Sequence, residues 1–202
     1  MDSSSIVLAG FIASTCASVG TALGSLGVFF IQSLSRRLED GLLSLAAGIM
    51  LAATFFSLLL PSIEYGTALY ASDIAGALVA GAGVLVGAFL LFFIHQTVPH
   101  EHFVSGRDGA SDKQLARIWL FVIAITLHNF PEGLAVGVGF AGGEMANGLS
   151  LALGIGIQNV PEGLAVSVAL MSVGYSRTKS AAIGIASGLV EPVGGLLGAV
   201  AV

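Results

Sequence analysis

Six apolar stretches, at residues 6–31, 42–60, 74–94, 115–141, 149–173 and 181–202, divide this chain and set what it can become. A helix needs roughly 20 apolar residues to cross the hydrocarbon core of a bilayer, and each stretch meets that requirement. None alternates apolar and polar residues in segments of about ten, as strands of an outer-membrane barrel do. The pattern predicts an all-α fold, a polytopic transmembrane helix bundle of six spans forming one domain over residues 1–202. Composition agrees: 55% of residues are hydrophobic and 9% charged, whereas about a quarter of a soluble domain is charged.

Orientation follows from the basic residues. Arg36 and Arg37 fall between spans one and two, Arg107, Lys113 and Arg117 between or beside three and four, and Arg177 and Lys179 between five and six. All are on one side, and the other carries Asp2, Glu64, Asp73 and Glu144. The positive-inside rule therefore puts the N-terminus outside and the odd-numbered loops in the cytosol, in a plasma membrane or an organelle membrane. Residues 1–5 lack the basic start of a cleaved signal peptide, so the first span reads as a retained signal anchor. A net charge of −5 argues against nucleic acid and anionic substrates as partners. The single cysteine, Cys16, forms no intramolecular disulfide and reads as a small packing residue.

The longest polar segment, residues 95–114, is expected to be a cytosolic loop. It opens with His95, His100, Glu101 and His102, which serve either as a transient secondary metal site or as solvated loop residues. Glycines four apart, at Gly20/Gly24, Gly83/Gly87, Gly133/Gly137, Gly184/Gly188 and Gly194/Gly198, predict seams where helix backbones approach closely.

An internal repeat carries the chemistry. The sequence HNFPEGLAV at 128–136 returns as QNVPEGLAV at 158–166, each copy in mid-span. A short connection makes spans four and five antiparallel neighbours and sets the two copies face to face at one depth. Ionisable groups in hydrocarbon cost several kcal/mol and persist chiefly for function. Here His128, Glu132, Glu162 and Glu191 lie near the middles of spans four, five and six, with no lysine or arginine beside them to neutralise the acids. Such carboxylates either take up protons or bind a cation.

His128 and Glu132 are four residues apart, as are Gln158 and Glu162, so each pair shares a helix face; Asn129 and Asn159 flank it. Pro131, Pro161 and Pro192 each adjoin one of the glutamates and cannot donate to the carbonyls of Leu127, Ile157 and Gly188, which predicts kinks lining a pathway. Imidazole with carboxylates suits Zn(II), Fe(II), Mn(II) or related ions better than Na⁺ or Ca²⁺. Met50, midway along span two, reads by itself as core packing.

At these residues the chain resembles the ZIP (Zrt-, Irt-like protein) family of metal transporters, whose fourth span carries His-Asn-x-Pro-Glu-Gly and whose fifth carries a related motif ending in Pro-Glu-Gly. The likeness extends through GIMLAA at 48–53, Ser57, Glu64, the His100 to His102 loop and SGLVEP at 187–192, in family order. It implies a binuclear centre. One ion sits among Met50, His128, Glu132, Gln158 and Glu162, the second among Asn129, Glu132, Asn159, Glu162 and Glu191, with Glu132 and Glu162 bridging. It also implies alternating access by an elevator-like slide of spans one, four, five and six against two and three, with Ser57 and Glu64 near the outer mouth and the loop histidines near the inner one. The sequence departs from the family in having Gln158 where many members have His, and Asn159 where some have Asp. The family also has eight spans, pairing the first three with the last three as inverted repeats, and this chain carries six.

The expected function is transport of zinc, with Fe²⁺, Mn²⁺ and Cd²⁺ as further candidate cargo, toward the cytosol. Expected partners are divalent metal ions and the lipid bilayer, with a homodimer admitted. A passive metal channel is the near rival. An intramembrane metalloenzyme is a more distant one, since an open zinc site also activates water, but the sequence has no His-Glu-x-x-His. A third alternative is a short chain that transports nothing and associates with a longer partner.

Overall fold

The computed structural model describes residues 2–31, 35–97 and 112–202. Helix α1 (Ser3–Leu26) starts on Asp2, whose carboxylate accepts the Ser5 N–H at 3.3 Å and the hydroxyls of Ser4 and Ser5. Donation first from Ser5 and then from Ser4 holds this carboxyl down to about 2, so the helix N-terminus keeps a negative charge that suits its dipole. Ser35 caps α2 (Arg36–Ala53) in the same way, accepting from Leu38 N–H at 3.3 Å.

A π-helical segment, Thr54–Leu59, joins α2 to α3 (Leu60–Tyr70) without interrupting the helical path. Helical structure on this segment continues past residue 60 to Tyr70. Pro61 lies within this continuous helical path and has no N–H to donate, and the Ser57 carbonyl four residues earlier accepts from Asn147 Nδ2 at 3.1 Å. The same amide reaches the Gly139 carbonyl at 3.3 Å. Replacing Asn147 with leucine orphans both carbonyls and is expected to cost about 2 kcal/mol, read as a fall of several degrees in the unfolding midpoint of the purified protein in detergent. An unchanged midpoint would show that the bridge contributes nothing.

After a turn through Ala71, in the left-handed region at φ 51°, α4 (Asp73–Thr97) folds back on α3 with Gly76 against Gly66. Then come α5 (Asp112–Val138), α6 (Met145–Ser172), α7 (Arg177–Gly188) and α8 (Glu191–Val200). Among the described residues six helical segments are long and apolar enough to cross a membrane: Ser3–Phe29, Ala47–Tyr70, Asp73–Leu90, Gln114–Val138, Met145–Ser172 and Arg177–Val200. No described residue is in a strand. This is a polytopic all-α membrane protein.

Its centre is a tight group of α1, α5, α6, α7 and α8, in which α1 lies along α6 and α8 while α5 lies along α8. Helix α2 leans on α6, and α4 packs chiefly on α3. Apolar contact among Ala13, Ala17, Val136, Phe140, Leu151 and Ile155 ties α1, α5 and α6 together, and Ala53 and Leu58 close over them from the second span. Four of the five glycine pairs lie in seams. A β-carbon on Gly133 would lie 2.8 Å from Glu191 Cα, one on Gly137 2.6 Å from the Ala199 nitrogen, and one on Gly188 2.8 Å from Thr21 Cβ. Gly83 and Gly87 differ: nothing described lies within 4 Å of a β-carbon on either.

The prolines act unequally. Helices α5 and α6 run on through Pro131 and Pro161, whereas span six breaks at Leu189 and Val190, just ahead of Glu191 and Pro192. The kink expected at each glutamate is thus a full helix break only at the third.

Candidate metal centre

The two repeat copies meet. One turn of α5 carries His128 and Glu132, with Nε2 of the histidine 3.5 Å from Oε1 of the glutamate. From the facing turn of α6, Gln158 Nε2 donates to the same Glu132 oxygen, so the first residue of one copy bonds the acid of the other. Ligand atoms of His128, Glu132 and Glu162 all lie within 4.8 Å of one another, so a small closing movement would bring them around one metal ion at about 2 Å from each.

Met50 faces this group from α2. With Thr54, Leu58, Leu151 and Ile155 it lines a cleft of ≈ 190 Å³ that also contains His128, Glu132 and Gln158. A thioether, an imidazole, a carboxylate and a carboxamide therefore converge on one space between α2, α5 and α6. His128 is the partly exposed member, and Glu132, Gln158 and Glu162 are buried.

Glu191, at the N-terminus of α8, is fully buried on the α1 side and stands outside the three-ligand group. Its oxygens accept from Asn159 Nδ2 at 3.0 and 2.9 Å, and Oε1 also accepts from Thr21 Oγ1 at 3.2 Å. Asn159 Nδ2 donates further to the Ala17 carbonyl at 3.1 Å. Asn129 Nδ2 donates to the Ser187 carbonyl at 2.9 Å, just before the break in span six. The asparagines thus use their amide hydrogens to hold α1 and the broken sixth span against the repeat.

What is left over is the chemical signal. Among the described residues, Oδ1 of Asn129, Oε2 of Glu132, Oε1 of Gln158, Oδ1 of Asn159 and Oε2 of Glu162 are buried with no hydrogen-bond partner. Each unmatched acceptor costs about 1–3 kcal/mol in an apolar interior. Five on two adjacent helices is more than a folded core leaves by chance, since buried polar atoms are normally paired. All five are oxygen acceptors, and a cation satisfies several at once.

Sequence reasoning missed Thr21, Thr54 and the carbonyls of Ala17 and Ser187. Thr21 follows Gly20 in a stretch of small residues and reads as packing; only knowledge that α1 crosses Glu191 reveals it. Ser57 is buried, its Oγ 3.3 Å from Ser150 Oγ, and it lines a separate cavity with Asn147 and Glu144. Glu64 is exposed on α3. His100, Glu101 and His102 lie outside the described residues.

Among the described residues, six helices long and apolar enough to cross a membrane, with an imidazole and buried carboxylate and amide groups between them, define an integral membrane protein. A family model described as ZIP Zinc transporter matches residues 95–201. "Zinc transporter GufA" of Myxococcus xanthus is 43% identical over 193 residues, covering 96% of this chain and 76% of that protein. "Zinc transporter ZIPB" of Bordetella bronchiseptica is 43% identical over 178 residues, 88% of this chain and 58% of that one. "Zinc transporter ZupT" of Chlorobaculum parvum is 32% identical over 210 residues, 95% and 75% of the two. The chain belongs to the ZIP family. That family is one of transporters, not enzymes, which sets the metalloenzyme reading aside.

Proposed function

We propose that this protein carries zinc across its membrane toward the cytosol, with Fe²⁺, Mn²⁺ and Cd²⁺ as further cargo. The ion is held first by His128, Glu132 and Glu162, with Met50 and Gln158 completing the shell from the cleft. A second ion is held between Glu132 and Glu162 on one side and Asn129, Asn159 and Glu191 on the other. The N-terminus faces outside, so metal arrives from that side and leaves beside the loop of residues 95–114.

One observation carries the reading: three ligand atoms of mixed nitrogen and oxygen character lie within 4.8 Å of one another in the middle of apolar spans. Mixed imidazole and carboxylate donors favour zinc and its first-row neighbours over hard cations. Relatives named zinc transporters point the same way. Separate helices supply the ligands, so small relative movements can form and release the site.

Proteoliposomes loaded with a zinc-sensitive dye supply the test. Saturable zinc entry is expected, with iron, manganese and cadmium competing. Entry that stays linear with concentration would favour the channel, and none at all in correctly folded protein would defeat the proposal.

A further inference from the structure

Hydroxyls on α1 mostly serve their own helix: Ser14 donates to Gly10 O, Thr15 to Phe11 O and Ser18 to Thr15 O. This back-bonding is the usual fate of serine and threonine within helices. Ser25 and Thr21 depart from it: Ser25 donates to the Gly163 carbonyl at 3.3 Å, and Thr21, only 1% exposed, donates across the bundle to a side chain, Glu191 Oε1, at 3.2 Å. The site makes room for it. Gly188 lies directly beside Thr21, where a β-carbon would come within 2.8 Å of Thr21 Cβ and 3.0 Å of Oγ1.

Glu191 needs such a fixture more than the other acids do. Glu132 and Glu162 sit inside continuous helices, so the backbone on both sides sets their direction. Glu191 begins α8 immediately after the break at Leu189 and Val190. Its carboxylate is aimed by donors from two other helices, Asn159 from α6 and Thr21 from α1.

We propose that Thr21 is a positioning residue for metal binding, whose hydroxyl orients the Glu191 carboxylate toward the second ion and so sets the affinity for it. This rests on Glu191 being a ligand, as proposed above. Partners that orient a ligand typically change metal affinity 10–100-fold when removed. Thr21 touches no ion itself and acts through the acid.

The test is Thr21→Val, which keeps the shape and removes the hydroxyl, beside Thr21→Ser, which restores it. Thr21→Val is expected to raise KM for zinc about tenfold while the maximal rate per copy at the surface and the unfolding midpoint stay near those of the unaltered protein. Thr21→Ser is expected to bring KM back. In purified full-length chain, zinc binding by the double variant Thr21→Val, Glu191→Gln should be no weaker than by Glu191→Gln alone, because both changes remove one function. An unchanged KM in Thr21→Val, a Thr21→Ser defect as large, or additive losses in the double variant each overturn the proposal. If His128→Ala and Glu132→Ala abolish uptake while Thr21→Val is silent, this inference alone fails; if those two also transport normally, the transport site itself is misassigned.

Discussion

Glu132→Ala is expected to abolish saturable zinc uptake at normal surface expression, and His128→Ala to do the same. Glu132 is the node of the centre: it lies one turn from His128, accepts from Gln158, belongs to the three-ligand group with Glu162 and retains an unpartnered oxygen. Truncation removes a ligand and leaves the Gln158 amide without its acceptor. Loss of groups that merely orient a ligand costs 10–100-fold in affinity, so loss of the ligand itself should exceed about 100-fold, beyond the range of an uptake assay. Glu132→Gln is the informative companion, because it fills the same volume and removes the charge. Uptake is expected to stay absent in Glu132→Gln while the protein folds normally. Labelled-zinc uptake by both alanine variants at the unaltered protein's level would remove the site from where we put it.

The fold class was legible because bilayer thickness imposes a length on apolar runs that no soluble pattern imitates. The nearness of the two repeat copies was legible for a similarly simple reason: His128 with Glu132, and Gln158 with Glu162, share faces by helical spacing alone, and a short turn brings the faces together. What depends on tertiary contact could not be read. Asn147, from the start of α6, reaches the Ser57 carbonyl just before Pro61 from 90 residues away. Likewise three prolines beside three glutamates look alike in sequence, yet only span six separates into two helices. Thr21 lies 170 residues from the acid it serves, and a lone threonine in a small-residue stretch carries no mark of that partner.

Glycine spacing was legible as a pattern but not as a contact, and this yields the second large effect. Gly133→Ala is expected to destabilise the protein by about 3 kcal/mol, whereas Gly87→Ala should be neutral or stabilise it by up to about 1 kcal/mol. Both glycines belong to four-residue pairs in apolar spans, and α4 and α5 are both long helices in which alanine is the better former. The difference lies in what a methyl group meets. At Gly133 it runs into the backbone of Glu191, 2.8 Å from Cα, so α5 and α8 must separate at the level of the candidate metal centre. At Gly87 it meets nothing described within 4 Å, so only the helix propensity gain remains. Unfolding midpoints of the two purified variants in one detergent decide the matter. A Gly133→Ala protein as stable as the Gly87→Ala protein would mean that α5 and α8 do not press together through these glycines, and the close approach that brings Glu191 to the repeat would need another cause.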